Sequence, residues 1–190
     1  MRKIMIVAAV VFSFAIQAQS PKGEPQPKAV TAATTPETFD AKWRFLVGEW
    51  SGEAGGEPGS GRMSCSFRFD LQEHVLVRRS QTAFAPSGGA PAAVHDDLMV
   101  IYPAAQNDQP CAVYFDSQGH KIEYGSAAWS ADGNDLTFVS KASPASPRFR
   151  LAYKRIDAQT ISVSFEIAPP GESVAFKQHV WGRLRRTDRK

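Results

Sequence analysis

Two adjacent arginines are the residues of this sequence best suited to hold a charged ligand. Arg78 and Arg79 lie in residues 74–84, an apolar-rich stretch that we predict to be a β-strand. Successive side chains of a strand point to opposite faces, so one of the two arginines must face inward or meet the rim. A buried arginine needs either an anionic ligand group, such as a carboxylate, or a structural ion pair. The candidates for that ion pair are Asp96, Asp97 and Glu123.

His179 is the most distinctive single residue, because we predict it on the last strand with Trp181 and Arg183 on the same face. An imidazole can ligate a metal, or it can hold one hydrogen bond at a rim or in a core. The remaining histidines are His74, His95 and His120. No two histidines form a close pair, and the two cysteines lack metal-site spacing. The sequence therefore predicts no metal centre built from several side chains, and we expect no cofactor.

The sequence contains no catalytic constellation. The glycine-rich segment Gly52–Gly61 lacks the Gly-Lys-Ser/Thr ending of a phosphate-binding loop, and no helix is predicted after it. Ser60 lies between glycines but does not match the Gly-x-Ser-x-Gly pattern of a nucleophile elbow. Because no nucleophile lies beside a base, we expect that the protein is not an enzyme.

Composition indicates one compact domain of near-neutral charge. The 190 residues are 43% hydrophobic and 22% charged, which is typical of a globular chain. Removing Arg2 and Lys3, which belong to a segment that we expect to be cleaved, leaves 20 basic residues against 19 acidic ones. A near-neutral protein is not suited to electrostatic binding of nucleic acid, so we expect no nucleic-acid partner.

The N-terminus has the order of features that is typical of a secretory signal peptide. A basic start precedes an apolar run from Ile4 to Ile16, and we expect cleavage after Ala18. The run is shorter than the ~20 residues that a transmembrane helix requires. We therefore expect a secreted or periplasmic protein with no membrane span after cleavage. Residues 19–35 are rich in Pro, Ala and Thr and are predicted to be a flexible linker to a domain over 36–187.

One short helix is predicted at the start of this domain. Thr35 can cap it, and Pro36 suits its first turn, where a missing N–H costs nothing. Phe39, Trp43 and Leu46 then fall on one helical face.

From Phe45 onward the hydrophobic pattern has a period of two, which predicts strands with two unlike faces. Short turns separate about ten such segments, so consecutive strands are expected to pair antiparallel. The predicted fold is all-β: an up-and-down antiparallel barrel of about ten strands, because closure removes the exposed edges. A two-sheet sandwich is the alternative. Cys65 and Cys111 are predicted on the second and fifth strands, which favours free thiols over a disulfide.

Several segments resemble a known superfamily. Leu46-Val47-Gly48-Glu49-Trp50-Ser51-Gly52 resembles the Gly-x-Trp opening of the calycins, which include lipocalins, fatty-acid-binding proteins and nitrobindin-like barrels. Residues 75–79, 95–102, 114–120 and 165–171 are similar to a bacterial secreted branch of such barrels that is described as a domain of unknown function. The resemblance covers about residues 43–187 and implies a calycin-like barrel.

The resemblance also implies roles for particular residues. In calycins the opening Trp packs at the closed end of the barrel against an Arg of the last strand; here that Trp is Trp50, and Arg183 or Arg185 is the expected partner. Fatty-acid-binding barrels hold a carboxylate with interior arginines. Nitrobindin-like barrels carry a haem-ligating histidine on a late strand, a role that the resemblance transfers to His179.

These observations predict a secreted protein that holds a small apolar or amphiphilic molecule in a barrel cavity. The small residues 125–128 favour open space inside. The alternatives are a haem-binding barrel with His179 as the iron ligand, and a filled barrel that acts through its surface. The sequence leaves the oligomeric state open. The expected ligand-binding residues are Arg78, Arg79, Tyr124, His179 and Trp181.

Overall fold

The computed structural model describes residues 39, 41–57, 59–89, 91–104, 109–171 and 173–187. The predicted signal peptide, the linker over 19–35 and the predicted helix start at Thr35 and Pro36 lie outside these residues. Among the described residues, no helix is both long enough and apolar enough to span a membrane.

The single helix among these residues, α1, is shorter than expected and spans Ala41–Arg44. The predicted apolar face is nonetheless confirmed, because Phe39, Trp43 and Leu46 are all buried. The Trp43 ring lies edge-on to Trp129, with ring centroids 5.3 Å apart. It also approaches the Phe138 ring, at a centroid distance of 6.3 Å. The segment around α1 therefore covers one end of the interior with aromatic side chains.

All other regular elements are strands. Their bounds are β1 Gly48–Gly56, β2 Gly61–Asp70, β3 Val75–Phe84, β4 Ala93–Pro103, β5 Pro110–Asp116, β6 Lys121–Tyr124, β7 Ala128–Trp129, β8 Asp135–Val139, β9 Arg148–Arg155, β10 Thr160–Ala168 and β11 Lys177–Arg186.

The strands form one curled, barrel-like antiparallel sheet rather than a sandwich. Its order is β6-β5-β4-β3-β2-β1-β11-β10-β9-β8-β7, so the first and last strands pair and the edges are β6 and β7, which are consecutive in the chain. Tyr124 forms an isolated bridge with Ser140, which brings the end of β6 to the end of β8. The predicted up-and-down connectivity is confirmed.

The strand number is eleven rather than ten, because residues 120–130 contain two short strands, β6 and β7, instead of one continuous strand. The Gly125 N–H donates to the Val139 carbonyl at 3.0 Å, and the Ala127 N–H donates to the Pro110 carbonyl at 2.7 Å. Gly125 thus bonds to the last residue of β8, whereas Ala127 bonds to the first residue of β5. These two bonds separate β6 from β7 and contribute to joining the two edges.

Trp50 packs under an arginine of the last strand, but not under either of the arginines expected. The guanidinium carbon of Arg186 lies 4.2 Å from the centroid of the Trp50 ring. Arg183 and Arg185 are exposed on the outer face. The physical reason is strand parity: Gly182 and Leu184 of β11 are buried, so Arg186 lies on their side of the strand and the odd-numbered arginines on the other.

Both cysteines are free thiols, as their predicted separation in the sheet requires. Cys65 is buried, and this burial raises the pKa of its thiol to about 12. Cys111 is half-buried, with its Sγ 3.9 Å from the Ser126 hydroxyl.

Candidate functional site

The interior of the curled sheet holds a cavity of about 570 Å³. Its partly exposed lining comes from the strand ends opposite α1, such as Phe84 at the end of β3, Asp116 at the end of β5 and His179 near the start of β11. Its buried lining includes Leu151 and Val163. The cavity volume lies within the ~300–1,000 Å³ typical of small-molecule sites.

One wall of the cavity is apolar. Phe149 of β9 and Phe165 of β10, which are diagonal neighbours in the ladder, stack with their ring centroids 5.8 Å apart and their planes at 13°. Leu151 and Val163 continue this wall inward. Strand parity explains the surface, because alternate residues of β9 and β10 point into the interior. Such a wall binds hydrocarbon by removing apolar surface from water.

The opposite wall carries a buried ion pair. The Arg78 guanidinium of β3 donates to the Asp97 carboxylate of β4 and to the Tyr153 hydroxyl of β9. The side chains of Arg78 and Asp97 are 7% and 6% exposed, so solvent screens their attraction little. Burial disfavours the charge of Arg78, but Asp97, Tyr153 and Cys65 together outweigh it and raise the pKa of Arg78 well above its ordinary value. Of the three acidic candidates, Asp97 is therefore the partner.

Two tyrosines of neighbouring strands lie beside this pair. The Tyr114 hydroxyl is 2.9 Å from Nε2 of His95, and both residues line the cavity. Tyr124 is only 3% exposed and lines the same cavity, but its hydroxyl has no hydrogen-bond partner among the described residues. Burial raises the pKa of both tyrosines, so both hydroxyls stay protonated at neutral pH. Thr82 adds a further buried hydroxyl to the lining.

His179 reaches the cavity because its strand is irregular. In the β10–β11 ladder Phe165 pairs with Val180 and Glu166 pairs with Gln178, so His179 is an extra residue at a β-bulge. Both His179 and Val180 consequently line the cavity. Two bonds join His179 to Glu57: the Glu57 N–H donates to the His179 carbonyl at 3.0 Å, and Nδ1 of the imidazole lies 2.9 Å from Oε2 of Glu57.

Charged groups at the partly exposed end of the cavity are paired as well. Nδ1 of His120 lies 2.8 Å from the Asp116 carboxylate, which also accepts the N–H groups of Gln118 and His120. Burial opposes ionisation of Asp116, but these hydrogen bonds outweigh it and lower its pKa. Lys121 pairs with Glu123 at 2.6 Å.

Of the five predicted ligand-binding residues, Arg78, Tyr124 and His179 line the cavity. Arg79 and Trp181 do not. Arg79 is exposed on the outer face of β3, as alternation with Arg78 requires. Trp181 is 39% exposed and packs over Gly55, where an added Cβ would lie 2.8 Å from the indole. The sequence predicts Trp181 and His179 on one face. Because of the β-bulge, His179 lines the cavity and Trp181 does not.

Sequence reasoning missed part of the polar lining. Thr82, His95 and Tyr114 were not assigned to the interior, although alternation from Arg78 places Thr82 there, and pairing places His95 opposite Thr82. No sequence signal identifies Glu57, because its contact with His179 spans 122 positions of the chain. Among the described residues, no group of three or more His, Cys, Asp or Glu side chains could hold a metal ion.

Comparisons with known proteins find a similar fold but give no information on the site. No family model and no curated protein matches the chain. Among solved structures, the chain is similar to Rv2717c from M. tuberculosis, with a TM-score of 0.53 and 15% sequence identity. The similarity covers 76% of this chain and 94% of that one. At this identity the likeness shows the fold alone.

Proposed function

We propose that this protein, after export, binds a small apolar or amphiphilic molecule inside a calycin-like barrel. The cavity of about 570 Å³ is the observation that carries the proposal. A filled structural barrel requires a packed interior instead, so the cavity supports binding over that alternative. An apolar wall opposite a few buried polar groups is the usual composition of a site that takes up an amphiphile.

The apolar wall supplies the affinity in this proposal. Removing apolar ligand surface from water contributes about 25 cal/mol per Å². The polar wall sets orientation, because a ligand oxygen placed near Tyr124 can bond to the buried hydroxyl that no described residue engages. The proposal includes no catalytic step.

Native mass spectrometry of the mature protein, purified from its own secretory host, tests the proposal. We expect a co-purifying small molecule, or, for ligand-free protein, saturable fluorescence of the neutral dye Nile red. Val163→Phe fills the cavity and should abolish dye binding. Val113→Phe, the same change on a strand position outside the cavity lining, should leave it intact. Equal dye binding by the two variants would contradict the proposal.

Haem binding is a second candidate, and the contact between His179 and Glu57 favours it. Metal-ligating histidines generally donate their other ring N–H to a carboxylate, which orients the imidazole. Nδ1 of His179 has such a partner at 2.9 Å, which leaves Nε2 as the nitrogen for iron at the cavity wall. One protein ligand suffices for haem. Bound there, haem would supply an iron centre for reactive nitrogen or oxygen species.

An absorbance scan separates the two candidates. The haem candidate predicts a Soret band in the purified protein that is lost in His179→Ala and shifted in Glu57→Gln. Its matched control is His74→Ala, because His74 is exposed and does not line the cavity. Absence of a protein-bound Soret band after incubation with haem and removal of unbound haem would exclude this candidate and leave the amphiphile proposal unaffected.

A further inference from the structure

We infer that the cavity selects an uncharged amphiphile whose polar group is a single oxygen, such as a ketone or an alcohol, and discriminates against carboxylates. The inference rests on the proposed binding function and names its ligand class. It arises from the charges and hydroxyl groups of the cavity wall, which differ from those expected of an anion-binding barrel.

The lining has no net formal charge when histidine is counted as neutral. Its cations are Arg78 and Lys121, and its carboxylates are Asp97 and Asp116. Each of these four groups already has a partner of opposite charge or a hydrogen-bonded imidazole. The pairs are Arg78–Asp97, Lys121–Glu123 and Asp116–His120.

A carboxylate ligand would therefore meet no free cation. Arg78 is the cation best suited to hold an anion, but Asp97 neutralises its charge, and its two terminal nitrogens already donate to Asp97 and Tyr153. Only its Nε has no hydrogen-bond partner among the described residues. To bind there, a carboxylate would have to displace Asp97 or lie beside it, in a buried site where like charges repel strongly. Burying the ligand charge without a partner adds a further desolvation cost.

Two phenol hydroxyl groups of the lining retain hydrogen-bonding capacity, beside the Nε of Arg78, which has no partner among the described residues. Tyr124 has none of its capacity used by a described residue, and Tyr114 uses one bond to His95. Ala112 pairs with Tyr124 in the β5–β6 ladder, and Tyr114 is two residues along β5 on the same side. The two phenols are thus diagonal neighbours on one face, where a neutral ligand oxygen can accept from either hydroxyl without carrying charge into the interior.

The test compares two ligands of similar length, 2-tridecanone and dodecanoate, as competitors of Nile red at about pH 8, where ordinary imidazoles are uncharged. We expect 2-tridecanone to bind about ten-fold more tightly than dodecanoate. Tyr124→Phe should weaken 2-tridecanone binding about five-fold and leave dodecanoate unchanged. Tyr102→Phe, on the half-exposed outer side of β4, is the matched control and should change neither.

Asp97→Asn supplies a converse test, because it removes the charge that neutralises Arg78. We expect this variant to bind dodecanoate about ten-fold more tightly than the unmodified protein does. If it does not fold, the Tyr124→Phe comparison decides. Tighter binding of dodecanoate than of 2-tridecanone, or equal ketone affinity in Tyr124→Phe, would overturn the inference while leaving the binding function standing. Failure of the dye and both ligands to bind would overturn both.

Discussion

Arg186 lies against Trp50 and also ties down the chain that leads into the first strand. Its guanidinium carbon is 4.2 Å from the indole centroid. Its two terminal nitrogens donate to the carbonyls of Val47 and Phe45 at 2.5 and 2.7 Å. One side chain of β11 therefore secures the segment between α1 and β1, and β1 and β11 are the strands whose pairing joins the two ends of the domain.

Replacing Arg186 should destabilise the fold far more than replacing its neighbour. Arg186→Leu removes a cation–π contact and two charged hydrogen bonds, which together contribute about 3–5 kcal/mol. Arg185→Leu changes an exposed position and should lower the free energy of unfolding by less than ~0.5 kcal/mol. Urea unfolding of the two variants gives both values. An equal loss in both would mean that the Trp50 contact does not stabilise the domain.

The two buried tyrosines near Arg78 should respond oppositely to loss of their hydroxyls. Tyr153 accepts a hydrogen bond from Arg78, so Tyr153→Phe leaves a buried donor unpaired and should cost about 1–3 kcal/mol. Tyr124→Phe removes a hydroxyl without a described partner and should leave stability unchanged or raise it by up to ~1 kcal/mol. Thermal unfolding of ligand-free protein measures both changes. A large loss in Tyr124→Phe would show that its hydroxyl has a structural partner.

Asp96 and Asp97, which are adjacent in β4, should also differ in how strongly their replacement destabilises the fold. Asp97→Asn leaves the buried charge of Arg78 uncompensated and should lower the free energy of unfolding by about 3–5 kcal/mol. Asp96 bonds only to exposed or surface groups, such as Nε2 of Gln81 at 2.8 Å, so Asp96→Asn should cost less than ~0.5 kcal/mol. Denaturant titration compares them. The interpretation of Asp97 as the structural partner of Arg78 fails if the two losses are alike.

Thiol reactivity should separate the two cysteines. Burial raises the pKa of Cys65 to about 12, and the neutral thiol is a poor nucleophile. In folded protein at about pH 8, iodoacetamide should modify the half-buried Cys111 and spare Cys65, whereas both should react after unfolding in guanidinium. Mass spectrometry of the alkylated protein counts the modifications. Rapid labelling of Cys65 in the folded state would contradict its burial.

The raised pKa of Cys65 makes the free energy of unfolding depend on pH. The folded protein holds the Cys65 proton above the ordinary thiol pKa of 9.0, where the unfolded chain releases it. Folding stability should therefore be fully present below about pH 9 and fall as pH rises towards 12, and Cys65→Ser should remove that part of the slope. An identical alkaline slope in the two proteins would exclude this contribution.

Much of the fold follows from local pattern. Alternation along β2 and β10, short turns and the absence of room for crossover helices predict an antiparallel sheet in which consecutive strands pair. The apolar face of Phe39, Trp43 and Leu46 is likewise readable, although α1 itself is only four residues long. The break between β6 and β7 cannot be predicted from local sequence, because it depends on hydrogen bonds to Pro110 of β5 and Val139 of β8, each more than ten positions away along the chain.

The candidate site was predictable only where strict alternation holds. Arg78 and Arg79 must lie on opposite faces, and the structure places Arg78 inside. The bulge at His179 interrupts the alternation of inward and outward side chains. Trp181 and Arg183 therefore lie on the outer face, whereas His179 lines the cavity. A bulge inserts one residue without a mark in the local pattern, which is why the shared face predicted for these residues did not extend to the cavity.

By itself, the sequence determined which residue types alternate, and therefore the all-β class, the approximate strand number and the inward or outward side of regular positions. These properties depend on neighbours two residues apart, and a local pattern records them. Only the tertiary structure decided that Asp97 neutralises Arg78, that Arg186 covers Trp50 and that a cavity remains in the interior beside Arg78 and Asp97. Those outcomes depend on strand register and on packing between residues far apart in the chain, which no local pattern contains.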